Sequence, residues 1–277
     1  MGAIVWLASY PKSGNTWLRA FLVNLIADRR EPVPFSEYRR YATNEAAAIW
    51  FEKHLGGEVR PGQLREVAAL RPRVQREIAA TGRPLRLVKT HSNLGRVYGT
   101  PQINAEVTAA AIYLVRNPLD VVISFAHHNG ATIDETIAVM ARRDTRSRMR
   151  PDRVFEWSGD WSSHVESWTG QPREHLCILR YEDLLDRPDE EFARVAEFLQ
   201  IDADEDRIRR AVATSSFDRL QRMESETGFD EKPAGVERFF RAGRKDQWRE
   251  VLTADQRRRI TARHRTQMAR FGYLAND

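Results

Sequence analysis

The chain has 277 residues, of which 42% are hydrophobic and 30% charged, and its formal net charge is +5 at pH 7. A domain takes about 150 residues as a loose average, and no linker or repeat divides this sequence, so we predict one domain over residues 1–277. The positive charge favours an anionic ligand. The arginine-rich stretches 141–153 and 257–265 lack interleaved aromatic residues, so they are assigned to solvated faces and no nucleic-acid partner is predicted.

Cysteine usage and hydropathy limit the kind of protein further. Cys177 is the only cysteine, which excludes an intrachain disulfide and a cage of several cysteines around a metal. No segment reaches the roughly 18 uncharged apolar residues of a membrane span, and no basic stretch precedes the first apolar run. We therefore expect a cytoplasmic protein in a reducing compartment, without a membrane span.

The first elements in chain order are a strand, a turn and a helix. The apolar run 3–8 is typical of a buried parallel strand, PKSGNTW follows it, and a helix is predicted from about Thr16 to Asp28. This order predicts a P-loop-like phosphate-binding turn after the first strand. Residues 35–80 are predicted to be helical, with a loose apolar pattern.

Three later apolar runs predict further strands: 85–91 (LRLVKTH), 109–117 (AAAIYLVRN) and 175–181 (HLCILRY). Asn117 and Pro118 are typical of an N-cap and a first helical residue, so a helix is expected from there to His127. Later helices are predicted near 188–200, 204–214 and 254–271. The alternation indicates an α/β fold with a mostly parallel central sheet flanked by helices, in which ligands bind at the carboxyl ends of strands.

The order of residues in the first turn separates two kinds of phosphate site. A helix N-terminus with Lys12 beside it suits an anion, but in the Walker A loop the lysine follows the second glycine, whereas here it precedes Gly14. A nucleoside triphosphatase also places a magnesium-binding acid after a later strand, where this chain has Arg116. Binding by protein cations without a metal is therefore favoured, and a metal-dependent phosphotransferase is the alternative. His127 and His128 are adjacent on a predicted helix and point in different directions, so no metal site is predicted.

Six blocks of sequence resemble one known family. YPKSGNTWLR, KTH, YLVRNPLDVVISFAHH, LRYEDLL, TSSFDRL and FFRAGRKDQW are similar, in this order, to the cytosolic-type sulfotransferases that use 3′-phosphoadenosine 5′-phosphosulfate (PAPS). The resemblance implies PAPS as co-substrate, adenosine 3′,5′-bisphosphate as product, no required metal, and a small-molecule hydroxyl acceptor. The sequence does not identify the acceptor or distinguish a monomer from a homodimer.

The same resemblance implies a set of cofactor-binding residues. They are Lys12, Ser13, Gly14, Asn15 and Thr16 at the 5′-phosphosulfate, Trp17 and Tyr181 at the adenine, Arg116 and Ser124 at the 3′-phosphate, Ser216 and Phe217 in the base pocket, and Arg241, Ala242 and Gly243 over the 3′-phosphate. Ala242 stands where the family commonly has lysine, so Arg244 or Lys245 would have to replace that contact. Without the resemblance, Trp17 and Phe217 would be assigned to the core, and Ser124 would bond to its own helix.

His91 is the predicted general base. Lys89 and His91 are two residues apart at a strand end, so both side chains can share a face, and the ammonium should lower the imidazole pKa. The resemblance assigns His91 to deprotonation of the acceptor hydroxyl, while Lys12 and Lys89 would stabilise the departing phosphate oxygen. The alternatives are a structural histidine at a strand end, or a nucleotide-binding protein that has lost catalysis.

Overall fold

The computed structural model describes residues 2–81, 85–233 and 235–274. Its strands are β1 (Ala3–Ser9), β2 (Ala42–Asn44), β3 (Leu85–Thr90), β4 (Arg96–Val97), β5 (Thr100–Pro101), β6 (Thr108–Val115) and β7 (Leu176–Arg180). Its α-helices are α1 (Asn15–Ala27), α2 (Tyr38–Tyr41), α3 (Ile49–Leu55), α4 (Leu64–Ala80), α5 (Pro118–Asn129), α6 (Ile133–Met140), α7 (Trp161–Thr169), α8 (Tyr181–Asp186), α9 (Pro188–Phe198), α10 (Glu205–Thr214), α11 (Phe217–Thr227), α12 (Trp248–Val251) and α13 (Ala254–Arg270).

The central sheet has β1 in its middle. Within the described residues, five strands form this sheet in the order β2, β3, β1, β6, β7. β1 pairs in parallel with β3, and β2 pairs in parallel with β3. α4 packs against β1 and β3. The predicted α/β fold with a mostly parallel sheet flanked by helices is confirmed.

The register between β1 and β3 determines where Ser9 and His91 lie. Ala8 lies opposite Thr90, which is the last residue of β3. Because the two strands run in the same direction, the residues that follow, Ser9 and His91, emerge side by side at the carboxyl edge of the sheet. His91 is therefore placed by strand pairing rather than by a flexible loop.

The described chain divides into two compact units. The first contains Met1–Pro11, Ala42–Tyr113 and Val139–Ile178, and the second contains Lys12–Tyr41, Leu114–Ala138 and Leu179–Asp277. Each unit is assembled from segments that are distant in sequence, so no linker separates them along the chain. The assignment of residues 1–277 to one domain stays a prediction.

Several elements differ from the sequence-based expectation. The stretch 35–80 was expected to be helical, but it contains the strand β2 as well as α2, α3 and α4. The helices α6, α7, α11 and α12 and the β4–β5 hairpin were not predicted. β2 has only three residues, which is too short for an alternating pattern to be recognised. α1 begins one residue earlier than expected and α5 ends two residues later, as is usual for helix ends.

Candidate active site

The turn between β1 and α1 carries Lys12. Lys12 and Gly14 both have left-handed backbone conformations, with φ of 69° and 103°. Gly14 is also the N-cap of α1, and a Cβ atom there would lie 2.7 Å from Cδ2 of Tyr181, so both its conformation and its surroundings require glycine. Among the described residues no side chain caps α1. The N–H groups and positive dipole end of this helix are therefore suited to binding an anion.

Buried polar atoms beside this turn are left without hydrogen-bond partners. Within residues 2–81, 85–233 and 235–274, no partner is present for Ser13 Oγ, Trp17 Nε1 or Arg116 Nε. Ser13 is fully buried and Arg116 is 6% exposed. An unsatisfied buried polar group costs about 1–3 kcal/mol, so these donors indicate a ligand rich in acceptor oxygens. Phosphate and sulfuryl oxygens fit them.

Arg116 joins two loops of the second unit. Its guanidinium donates hydrogen bonds of 3.2 Å to the carbonyl oxygens of Lys12 and Arg244, and it lies 4.2 Å from the centre of the Tyr181 ring. In the part of the chain that the structure describes, no carboxylate forms an ion pair with it. A guanidinium that is held by carbonyl oxygens and a ring face, and not by a carboxylate, is suited to binding an anionic ligand.

Several positive charges lie close to Lys12. Burial, and then the nearby Arg116 and Arg241, lower the pKa of Lys12 to about 8. Burial, Arg116 and Arg244 likewise lower the pKa of Arg241. An anion bound among these cations would stabilise the charged forms of Lys12 and Arg241.

Asp120 anchors the loop that carries Arg241 and Gly243. Its carboxylate accepts hydrogen bonds from the backbone N–H groups of Asp246, at 2.8 Å, and Trp248, at 3.1 Å. Gly243 has a φ of 57°, and a Cβ atom on it would collide with the ring of Phe217. The sequence indicated Asp120 only as an acid near a helix N-terminus, because the loop it holds lies more than a hundred residues further along the chain.

The residues that were expected to replace the contact missing at Ala242 are engaged elsewhere. Arg244 forms an ion pair of 3.0 Å with Glu250, and Lys245 forms one with Asp186. Both side chains would have to leave these carboxylates to reach a phosphate.

The other predicted nucleotide-binding residues also belong to the second unit. Trp17 packs edge-on against Tyr181 and Phe192, with ring centroids 5.8 Å and 5.5 Å apart. Ser124 is half-buried on α5, and Ser216 is the N-cap residue of α11, which begins with Phe217. Tyr181 connects the parts of this group, because it contacts Trp17 and Arg116 and lies against Gly14.

His91, in the first unit, is held at its ring and at its backbone. Its Nδ1 lies 2.8 Å from the carbonyl oxygen of Ser9, which can only accept, so Nδ1 carries the proton. In the neutral ring the lone pair is then on Nε2. Burial, and then Lys89, lower the pKa of His91 to about 3. The imidazole is therefore neutral near pH 7 and able to accept a proton at Nε2.

Glu156 connects Lys89 and His91. Both of its carboxylate oxygens lie 3.0 Å from Nζ of Lys89, and one accepts a 2.7 Å hydrogen bond from the backbone N–H of His91. Burial raises the pKa of Glu156, but Lys89 and His91 more than offset this and bring it to about 2. The sequence analysis missed Glu156, although an acid between aromatic residues in FEW was a signal that it is buried with a partner.

A second histidine supports the backbone of His91. Nε2 of His164 donates to the carbonyl oxygen of His91 at 3.1 Å, and Nδ1 of His164 lies 2.8 Å from the hydroxyl of Tyr113. Because Nε2 carries the proton, Nδ1 accepts one from Tyr113. Burial lowers the pKa of His164 to about 4, which keeps it neutral in this arrangement.

The described residues contain neither a metal cluster nor a membrane-spanning helix. No group of three or more His, Cys, Asp or Glu side chains among them is arranged to hold a metal ion. None of their helices combines the length and the apolar character needed to cross a membrane.

Comparison with known proteins identifies relatives along nearly the whole chain. Residues 4–272 match the model of the sulfotransferase domain. Sulfotransferase 1B1 of Canis lupus familiaris is 23% identical over 269 residues, covering 95% of this chain and 82% of the relative. Cytosolic sulfotransferase 15 of Arabidopsis thaliana is 25% identical over 284 residues, covering 93% of this chain and 70% of the relative.

Solved structures share the fold. Mouse sulfotransferase SULT7A1 complexed with PAP has a TM-score of 0.63 and 19% identity, covering 96% of this chain and 84% of that one. Retinol dehydratase in a complex with retinol and PAP has a TM-score of 0.64 and 20% identity, covering 96% of this chain and 81% of that one. At such identities the likeness concerns the fold alone.

Proposed function

The chain belongs to the sulfotransferase domain family, and from this we propose that it transfers the sulfuryl group of PAPS to a hydroxyl of a small-molecule acceptor. The observation that carries the proposal is the turn at residues 11–16. There Lys12 and Arg116 concentrate positive charge beside an uncapped helix N-terminus, and the buried donors Ser13 Oγ and Arg116 Nε have no partner among the described residues. PAPS supplies an activated sulfuryl group and the phosphates that these donors would bind.

The second unit would bind the nucleotide. Lys12 and the backbone from Ser13 to Thr16 would hold the 5′-phosphosulfate, and Trp17 and Tyr181 would contact the adenine. The 3′-phosphate would be bound by Arg116, Ser124 and the segment from Arg241 to Gly243, with Ser216 and Phe217 beside the base. The solved complexes of SULT7A1 and retinol dehydratase with PAP support this nucleotide.

His91 would act as the general base. Its Nε2 would take the proton of the acceptor hydroxyl while the hydroxyl oxygen forms a bond to sulfur. The bond from sulfur to the phosphate oxygen breaks in the same transfer, and that oxygen leaves with the electron pair. Lys12 would stabilise the charge that develops on it.

Lys89 needs a revised assignment. It was expected to stabilise the leaving oxygen together with Lys12, but its ammonium is buried and bound by both oxygens of Glu156. Paired charges at this distance largely cancel beyond their immediate surroundings. We therefore assign the leaving group to Lys12, and we assign Lys89 to the buried pair with Glu156, which holds the backbone of His91.

The acceptor class and the location are part of the same proposal. Retinol in the structure of retinol dehydratase supports a small hydroxyl compound as acceptor. Similarity to proteins that are named cytosolic sulfotransferases supports action in the cytoplasm.

The proposal is tested by calorimetry in the presence of EDTA. Adenosine 3′,5′-bisphosphate should bind without a divalent ion, because protein cations and N–H groups provide the site. ATP with magnesium, measured in parallel without EDTA, should bind more weakly. Absence of bisphosphate binding together with tight binding of magnesium-ATP would reject the sulfotransferase proposal in favour of a metal-dependent phosphotransferase.

A further inference from the structure

The Lys12 ammonium already has a partner that the proposed reaction does not use. Its Nζ lies 3.2 Å from Nδ1 of His128. An ammonium group can only donate, so Nδ1 of His128 must accept this hydrogen bond, and the proton of the neutral imidazole is then on Nε2. The contact therefore depends on one tautomer of His128.

His128 lies on the same face of α5 as two residues of the proposed nucleotide site. Asp120, Ser124 and His128 are spaced by four residues, so their side chains project from one side of the helix. Asp120 holds the loop that contains residues 246–248. Ser124 is the residue proposed at the 3′-phosphate. His127, in contrast, projects about 100° away around the helix axis.

Phe239 provides a second contact for the same ammonium. Nζ of Lys12 lies 4.3 Å from the centre of the Phe239 ring, and the rings of His128 and Phe239 meet edge-on with centroids 6.0 Å apart. The backbone N–H of Phe239 donates to Glu224 at 2.6 Å, which fixes the position of that segment. Lys12 is thus held between an imidazole from α5 and an aromatic ring.

This arrangement leaves the ammonium able to bind a ligand. An ammonium has three N–H donors, and the bond to His128 uses one of them. Among the described residues no hydrogen bond engages the other two, which can donate to oxygen atoms of a bound anion. A lysine side chain without such contacts would lose more rotamer entropy when it binds an anion.

We propose that His128 is a positioning residue for Lys12, whose ammonium it orients toward the phosphosulfate through Nδ1. The proposal rests on the proposed function for the identity of the ligand. The contact between His128 and Lys12 exists without the ligand and can be tested separately.

The first experiment measures binding of adenosine 3′,5′-bisphosphate by calorimetry in EDTA. His128→Ala should weaken binding about tenfold, the scale of one hydrogen bond to a charged group. His128→Asn, whose side-chain oxygen can take the place of Nδ1, should restore binding to within about threefold of wild type. Asn129→Ala, a change at an exposed residue of the same helix, is the matched control and should change affinity less than about twofold.

A double-mutant cycle separates positioning from a general structural effect. If His128 acts through Lys12, His128→Ala should have almost no effect on bisphosphate affinity when Lys12→Ala is already present. An equal loss in both backgrounds would overturn the proposal. Tighter binding by His128→Ala would also overturn it, because His128 would then hold Lys12 away from the ligand.

The second experiment needs no nucleotide. An NMR titration of the Lys12 side chain should show a lower pKa in His128→Phe than in wild type, because the ammonium loses an acceptor while a ring of similar size keeps it buried. The pKa should be unchanged in Asn129→Ala. If wild type fails to bind the bisphosphate, the proposed function fails. This titration would still show whether His128 accepts a hydrogen bond from Lys12. An unchanged Lys12 pKa in His128→Phe would overturn the inference.

Discussion

The Glu156 carboxylate accepts hydrogen bonds from the Lys89 ammonium and from the backbone N–H of His91. One buried acid thus neutralises the charge beside the proposed base and also fixes the chain that carries it. The position of His91 therefore depends on a residue that is 65 positions away in sequence.

Removing Glu156 should destabilise the protein strongly. Glu156→Ala removes the carboxylate that pairs with the buried Lys89 ammonium, and breaking a buried ion pair typically costs about 3–5 kcal/mol. Urea unfolding measures the loss, and Asp144→Ala, which breaks the exposed pair of Arg142 and Asp144, is the control and should leave the unfolding midpoint nearly unchanged. Equal midpoints for the two variants would contradict this account of the buried pair.

His91→Ala should lower turnover by roughly two to four orders of magnitude, because a general base acts in the transition state. Affinity for adenosine 3′,5′-bisphosphate should stay within about twofold of wild type, whereas Lys12→Ala should weaken binding as well as the rate. His175→Ala, a change at an exposed histidine of the same unit, should leave both quantities unchanged. Near-normal turnover by His91→Ala would make His91 a structural residue.

The pH dependence of His91 follows from its lowered pKa of about 3. Only the neutral imidazole accepts a proton, so the rate should rise with pH through this low value and be flat above it. Between about pH 5 and pH 8, His91 should contribute no change in rate, and NMR of its ring should show no titration there. A ring titration near the usual value of 6.5 would show that His91 is not buried as described.

Lys12 should make nucleotide binding sensitive to alkaline pH. Its pKa is lowered to about 8, and the charged form binds the anion, so affinity for adenosine 3′,5′-bisphosphate should fall as pH rises above about 8. The fall should approach tenfold per pH unit well above that value. Calorimetry at several pH values measures it, and Lys12→Arg, which keeps its charge, should remove the dependence. The same pH dependence in Lys12→Arg would assign the titration to another group.

Arg116 should contribute to binding of the 3′-phosphate much more than to binding of the 5′-phosphate. Arg116→Ala should weaken binding of adenosine 3′,5′-bisphosphate by about 1.5–3 kcal/mol, the worth of a charge-assisted hydrogen bond. Binding of adenosine 5′-monophosphate, which lacks the 3′-phosphate, should change much less. Equal losses for both nucleotides would show that Arg116 does not bind the 3′-phosphate.

Local sequence was sufficient for the elements whose signals lie within a few residues. The apolar run before Pro11 predicted β1, and the order of Asn117 and Pro118 predicted the start of α5, where the Asn117 side chain does cap the helix. The turn that carries Lys12 was recognised for the same reason, because a strand, a glycine and an amphipathic helix follow one another directly. Apolar periodicity and capping act over one or two helical turns, so a single sequence displays them.

The partners of the candidate site residues depended on how the chain folds back on itself. His91 was predicted, but its bond to Ser9 follows from the register of β1 with β3, and its support by Glu156 and His164 comes from segments more than sixty residues away. His128 meets Lys12 across 116 positions of sequence. Contacts of this kind are set by strand order and helix packing, and many pairings of distant polar residues are compatible with the same local patterns. Burial then selects among them, because a buried charge or donor is stable only where the fold brings it a partner.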